Sequence, residues 1–241
     1  MSLKNCSTNK ALFALLSLLT LVFLLLGCTS TSGNKQHNSN TATNSSVETS
    51  SAVTIGRYSD SSHQGSKVDI KYPIFEGKEE VSTFVKDCAI NYVNEFYGAD
   101  YVDLTANLNF QVSCSDSTII SVIFRGNGNV RTAAHPNHLF FAVNINPQTI
   151  KQIKFSDKYQ MNSALINTFY RRAQEQVPAE IYSYLVQNRT WIEKYLYSID
   201  DPASGSYSYY TAQGIGVSVP TTYAIGDHIE VELTRGDLSQ D

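Results

Sequence analysis

Leu104-Thr105-Ala106-Asn107-Leu108-Asn109-Phe110-Gln111-Val112-Ser113-Cys114 alternates apolar and polar side chains without a break. Successive side chains of a strand point to opposite faces, so a period of two predicts a strand with one face on a core. Ser115-Asp116-Ser117 follows, residues that favour a tight turn, and a mainly apolar run resumes over 119–125. The two runs and their turn predict an antiparallel hairpin.

Working outward from that hairpin, Val68, Ile70, Tyr72 and Ile74 alternate in the same way and predict an earlier strand, stopped near Pro73 and Gly77. Val81, Phe84, Val85, Cys88, Tyr92 and Phe96 fall at helical spacing. Downstream, Gly126-Asn127-Gly128-Asn129 reads as a break before a strand over 138–145, and Pro147-Gln148-Thr149 turns into a short strand at 150–155. Helices are predicted over 162–174, from Pro178 in a first-turn position, and from a capping-box pattern at Thr190-Trp191-Ile192-Glu193. Strands over 207–211, 215–219 and 228–234 close the chain. The expected fold class is α+β: a mainly antiparallel sheet with helices packed on one face, in a domain of residues 67–241 with a single core.

The N-terminal third has a different composition. Lys4 and Lys10 precede an apolar run over 11–26, interrupted only by Ser17 and Thr20, which is the layout of a secretory signal. Sixteen residues of helix span about 24 Å, short of a hydrocarbon core of roughly 30 Å. Leu25-Leu26-Gly27-Cys28 resembles the lipobox of bacterial lipoproteins. That resemblance implies a signal peptide of residues 1–27, diacylation of the Cys28 thiol, and a membrane-anchored protein of the bacterial cell envelope facing the periplasm or outside. Two or three acyl chains hold firmly where one does not. Of the twenty-four residues 29–52, sixteen are Ser, Thr or Asn. Such a segment has too little apolar surface to offset its chain entropy, so residues 28–66 are expected to be the lipidated Cys and a disordered linker.

The whole chain has 241 residues, with 18 Lys+Arg against 22 Asp+Glu and a formal charge of −4. That balance argues against a nucleic-acid partner, which would call for a basic stripe. Once Cys6 leaves with the signal and Cys28 is acylated, Cys88 and Cys114 remain. An oxidising envelope permits a disulfide between them, and two buried free thiols are the alternative. His135-Pro136-Asn137-His138 spaces two imidazoles three apart, but the proline denies them a helix face and no third ligand is near, so no metal is expected. His228, Glu230 and Glu232 share one side of the last strand, opposite Ile229, Val231 and Leu233; Asp227 points the other way from His228. Gly216-Val217-Ser218-Val219-Pro220 lacks the second glycine of a nucleophile elbow. Arg235-Gly236-Asp237 reads as a turn, and Asn44 and Asn188 open glycosylation sequons that a bacterial chain would not use. Tyr207, Tyr209 and Tyr210 are out of phase along one strand, so one of Tyr209 and Tyr210 is expected to face inward. Exposed Tyr among Ser and Asn suits sugar stacking or a protein interface.

Ile120-Ser121-Val122-Ile123-Phe124, Ala133-Ala134-His135-Pro136, and Val143-Asn144-Ile145-Asn146 with the following turn are similar to one extracytoplasmic domain family of unknown function, here termed RsiV-like. So are Tyr210-Thr211-Ala212-Gln213-Gly214-Ile215-Gly216-Val217 and Ala224-Ile225-Gly226-Asp227. The family includes the outer domain of the lysozyme-binding anti-sigma-V factor and the non-catalytic region of some peptidoglycan deacetylases. The resemblance implies a non-catalytic module that binds or senses a wall-associated ligand, a lysozyme-like protein or peptidoglycan, with no cofactor and no transferable contact residue. An enzyme acting on wall polymer, with Glu230 and Glu232 as acid and base, is the alternative from a different class. A structural or assembly lipoprotein is a third.

Overall fold

In the computed structural model, which describes residues 52–239, the chain opens with β1 (Val53–Asp60) and β2 (Lys67–Phe75). They pair antiparallel, Val53 opposite Phe75 and Asp60 opposite Val68. Next, α1 (Glu79–Tyr97) buries Val81, Val85, Ala89 and Val93, a single stripe of residues four apart. Glu79 and Glu80 lie in its first turn, where carboxylates suit the helix dipole. Ser82 fixes the helix start: its Oγ accepts from the Phe75 N–H at 2.9 Å and donates to the Lys78 carbonyl at 3.0 Å.

The α1 crossover brings β3 (Leu104–Ser115) parallel to β2, and antiparallel partners follow: β4 (Ile120–Val130), β5 (Asn137–Asn146) and the two-residue β6 (Lys151–Gln152). These six strands form one sheet in chain order. Three helices come next: α2 (Ser163–Gln176), α3 (Ala179–Gln187) and α4 (Arg189–Tyr197). Asn162 caps α2 by accepting the Leu165 N–H at 3.0 Å. A second, three-stranded antiparallel sheet is built from β7 (Tyr207–Tyr210), β8 (Gly214–Pro220) and β9 (His228–Thr234), and α5 (Arg235–Leu238) ends the described chain.

The fold is α+β with a mainly antiparallel principal sheet, and its period-two stretches lie in strands. Its helices, though, lie on two outer faces rather than one. Leu104, Ala106, Leu108, Val122, Phe124, Leu139, Phe141 and Val143 face α1 in one cluster. The reverse side of β4 and β5 offers Ile123, Phe140 and Ala142 to Tyr209 of the second sheet. The far face of that sheet, Ile215, Val217, Val219, Ile229, Val231 and Leu233, packs on Leu165, Ile166, Phe169, Leu185, Ile192 and Leu196 of α2–α4. The expected single core is therefore divided among stacked layers. Tyr209 and Tyr210 are both buried, because both sides of β7 are covered.

Four expectations need correction. The domain begins before Lys67, since residues 53–60 form β1. That strand shows no apolar stripe because it is an edge: Ile55 is 70% exposed, and the pairing rests on backbone bonds and a bidentate Arg57–Asp69 ion pair at 2.8 and 2.9 Å. Gly126-Asn127-Gly128-Asn129 does not break the chain; β4 runs through it to Val130. Only Lys151 and Gln152 of 150–155 are strand, and Phe155–Asp157 is a single 3₁₀ turn. The box at Thr190 is not made, because α4 starts at Arg189 with Asn188 as N-cap and no side-chain cap bond. A capping box does form at Thr234 and Asp237. The signal, Cys28 and most of the linker expected over residues 1–51 lie outside the described residues.

Candidate binding cleft

Asp227 sits in the β8–β9 hairpin with φ +66, a left-handed conformation that a short polar side chain tolerates. Its carbonyl accepts from the Thr221 N–H at 2.8 Å, and its own N–H donates to the Thr222 carbonyl at 3.1 Å. This tight end aims the carboxylate across to β5, where Oδ2 accepts the His138 N–H at 2.7 Å and lies 3.4 Å from His138 Nδ1. Hairpin and sheet are thereby clamped together. On the rim, the Tyr223 ring stacks on His135 at 3.7 Å and 14°, and lies 5.8 Å from His138.

Beside the clamp lies a cleft of about 410 Å³. From α1 it takes Tyr92, Glu95 and Phe96, which share a helix face at offsets of three and four. Asn137, His138 and Phe140 of β5, Tyr207 of β7, and Pro220, Thr221, Asp227 and His228 of the hairpin complete most of the wall. Tyr92 stacks on Phe141 at 4.3 Å and Phe96 is half-exposed, so the α1 wall is aromatic. Burial raises the Tyr207 phenol to about 12, with Glu95 and Asp200 adding to it, so its hydroxyl stays neutral at physiological pH. His228 rests on Phe140 with ring centres 4.7 Å apart, and its Nε2 is 3.5 Å from Glu230 Oε1. Nδ1 of His228 and Oγ1 of Thr221 are buried and have no partner within the protein.

The other sequence candidates lie elsewhere. Glu230 accepts from Arg125 Nε at 2.9 Å and from the Tyr209 hydroxyl at 2.8 Å, and Glu232 accepts from the Thr211 hydroxyl. Burial opposes the Glu230 charge, but bonds from His228, Arg125 and Tyr209 outweigh it and hold the carboxyl at about 2. A group ionised so firmly does not serve as a general acid. The Ser218 hydroxyl is buried in mid-strand without a partner. Asp237 is committed to Arg172 Nε at 2.7 Å and to the Thr234 N–H at 2.8 Å, which takes Arg235-Gly236-Asp237 out of use as a recognition loop. Asn188 Nδ2 is spent on the Tyr184 carbonyl at 2.9 Å.

Cys88 and Cys114 are free thiols in this structure and border different clusters rather than the shared core expected for them. The reason is a bulge. The β3–β4 register shifts between Val112 and Cys114, and the extra residue swings Cys114 to the face opposite α1. Among the described residues, no group of three His, Cys, Asp or Glu is placed to hold a metal ion, and no helix is long and apolar enough to cross a membrane. The sequence reading paired His138 with His135 and set Asp227 on the face opposite His228, and the structure brings His138, Asp227 and His228 to one cleft. Thr221 and the α1 face were missed.

No family model and no curated protein matches this chain. Among the solved structures that align with it are one from Bacteroides fragilis and one from Pseudomonas aeruginosa, both described as members of the DUF3298 family. Each is 12% identical, over 78% of this chain and 91% of its own, with TM-scores of 0.48 and 0.45 respectively.

Proposed function

We propose that the chain is a non-catalytic lipoprotein of the bacterial cell envelope, held to the membrane by acyl chains on Cys28, whose domain binds a saccharide segment of peptidoglycan in the cleft between α1, β5 and the β8–β9 hairpin. The observation that carries this reading is the composition of the cleft wall. Aromatic side chains from α1 and hydrogen-bonding groups from the hairpin, the Asp227 carboxylate among them, line one volume of about 410 Å³. That combination suits a ligand with apolar ring faces and polar edges, and the volume is within the range of small-ligand pockets. The commitment of Glu230 to Arg125 supports binding without hydrolysis. The Ser/Thr/Asn-rich residues before the domain serve as a tether that lets it reach the wall.

The test is co-sedimentation of the purified protein with peptidoglycan sacculi, set beside retention on immobilised lysozyme. Retention on sacculi, competed by soluble wall oligosaccharide, is the expected result. Retention on lysozyme alone moves the assignment to a protein partner, and soluble fragments released from the sacculi move it to an enzyme.

A further inference from the structure

Two residues that line one cleft each carry a buried polar atom without a partner in the protein, Nδ1 of His228 and Oγ1 of Thr221. Most buried polar groups in folded proteins are satisfied, so two orphans at one place mark where an outside group docks. Their hydrogen-bonding roles follow from their neighbours. His228 Nε2 faces Glu230 Oε1 at 3.5 Å, and Glu230 is a carboxylate paired with Arg125. In the tautomer that donates from Nε2 toward Glu230, Nδ1 presents a lone pair. The Thr221 N–H is spent on the Asp227 carbonyl at 2.8 Å, which leaves its hydroxyl as the free donor on that side.

A fixed acceptor beside a hydroxyl donor matches a group that carries one N–H and one C=O, which is a secondary amide. Phe140 and Pro220 line the same part of the cleft and offer apolar surface for a methyl group. A single sugar hydroxyl would have to serve both orphans through one oxygen and would leave that surface uncovered. We infer that the cleft recognises the acetamido group of an N-acetylated amino sugar, its N–H donated to His228 Nδ1 and its carbonyl accepting from Thr221 Oγ1. This rests on the saccharide reading of the cleft and specifies which sugar it takes.

The experiment is calorimetric titration of the purified full-length chain with tri-N-acetylchitotriose and with cellotriose, whose hydroxyls replace the acetamido groups. The acetylated sugar is expected to bind about tenfold tighter or more. Thr221→Val and His228→Gln are each expected to weaken it by about tenfold and so to close most of its advantage over cellotriose. Thr221→Val, nearly isosteric, also guards against a folding defect in the His228 variant. Equal affinity for the two sugars overturns the acetamido assignment and leaves the saccharide reading standing. Tight acetylated binding that neither variant disturbs overturns the assignment of these two atoms. Failure of both sugars to bind sinks the saccharide reading with it.

Discussion

Arg125 Nε donates to Glu230 Oε1 at 2.9 Å, and through this pair, 105 residues apart in sequence, β4 of one sheet is tied to β9 of the other. The guanidinium also bonds Gln111 Oε1 at 3.1 Å and lies 5.4 Å from the Phe140 ring centre, while the Tyr209 hydroxyl completes the carboxylate. The sheets also meet through a small apolar cluster of Ile123, Phe140, Ala142, Tyr207 and Tyr209, and through two more polar bonds, Asn144 Nδ2 to the Ser208 carbonyl at 2.8 Å and the Tyr210 N–H to Ser121 Oγ at 3.0 Å. Polar bonds therefore set how the sheets sit on each other.

The acid stability of the domain should depend on this pair. Glu230 has a folded value of about 2 against an ordinary 4.5, so its contribution is complete above the ordinary value and is lost as pH falls through the folded one. Glu230→Gln is expected to cost about 2 kcal/mol at neutral pH and close to nothing near pH 2. Asp200 runs the opposite way, because burial raises its carboxyl, so the difference between wild-type and variant denaturation curves is the proper readout. A difference that stays flat from pH 7 to pH 2 would remove Glu230 from the account.

Gly126→Ala should destabilise far more than a surface glycine change. A Cβ at Gly126 would stand 1.8 Å from the Asn107 carbonyl oxygen and 3.0 Å from the Leu108 Cα, both backbone atoms that cannot swing aside. The expected loss is about 3 kcal/mol. Gly77→Ala, at φ +67 with nothing within 4 Å, isolates the conformational cost of a left-handed residue, about 1 kcal/mol. Urea unfolding of both variants checks the ordering, and equal losses would show that close packing at Gly126 is not the cause.

The same glycine explains what sequence reading missed. The strand at Leu104 was legible because one of its faces is buried by α1 and alternation records burial. Gly126 and Gly128 read as a break because glycine is poor in strands, yet here they admit the Asn107 backbone and the Tyr97 hydroxyl, neighbours that sequence spacing does not show. β1 was missed for the reverse reason: an edge strand with exposed Val53 and Ile55 has no buried face to record. Of the cleft, His228 and its strand face were visible. The meeting of His138 with Asp227, 89 residues away, is a product of tertiary structure.

The two thiols are expected to alkylate without reductant. Cys88 and Cys114 are free, and the bulge at Ser113 turns the second away from the α1 face. Burial, then Asp87 and Glu95, push the Cys88 thiol up to about 11, so its thiolate is scarce at pH 8. Native labelling should be slow at Cys88 and should speed up as pH rises toward that value. Protein that takes label in denaturant only after reduction would point to a disulfide instead.

Cys28 carries the membrane proposal and can be tested apart from the domain. Cells fed labelled palmitate should incorporate it into the wild-type chain, and Cys28→Ser should abolish incorporation and free the protein from the membrane fraction. Unchanged fractionation of the Ser variant would end the lipoprotein reading without touching the cleft.

Asp200 is the residue on which the approach to β7 hangs. It is 7% exposed and accepts the Ser208 N–H at 2.7 Å, the Ser208 hydroxyl at 2.7 Å and the Phe155 N–H at 2.6 Å. It thus joins the loop after α4 to the first strand of the second sheet and to the turn after β6. Its φ of +61 raises a competing explanation, that the position needs only a residue tolerant of left-handed backbone. Asp200→Ala strands two buried N–H groups and keeps the strained φ, for an expected loss of about 3–5 kcal/mol. Asp200→Gly relieves the backbone by about 1 kcal/mol but strands the same donors, so it should remain strongly destabilised. Asp200→Asn fits the space, yet both carboxylate oxygens accept bonds, so its NH₂ group must face a donor in either orientation. If chemical denaturation finds Asp200→Gly as stable as the wild type, backbone conformation rather than the carboxylate is what the fold requires there.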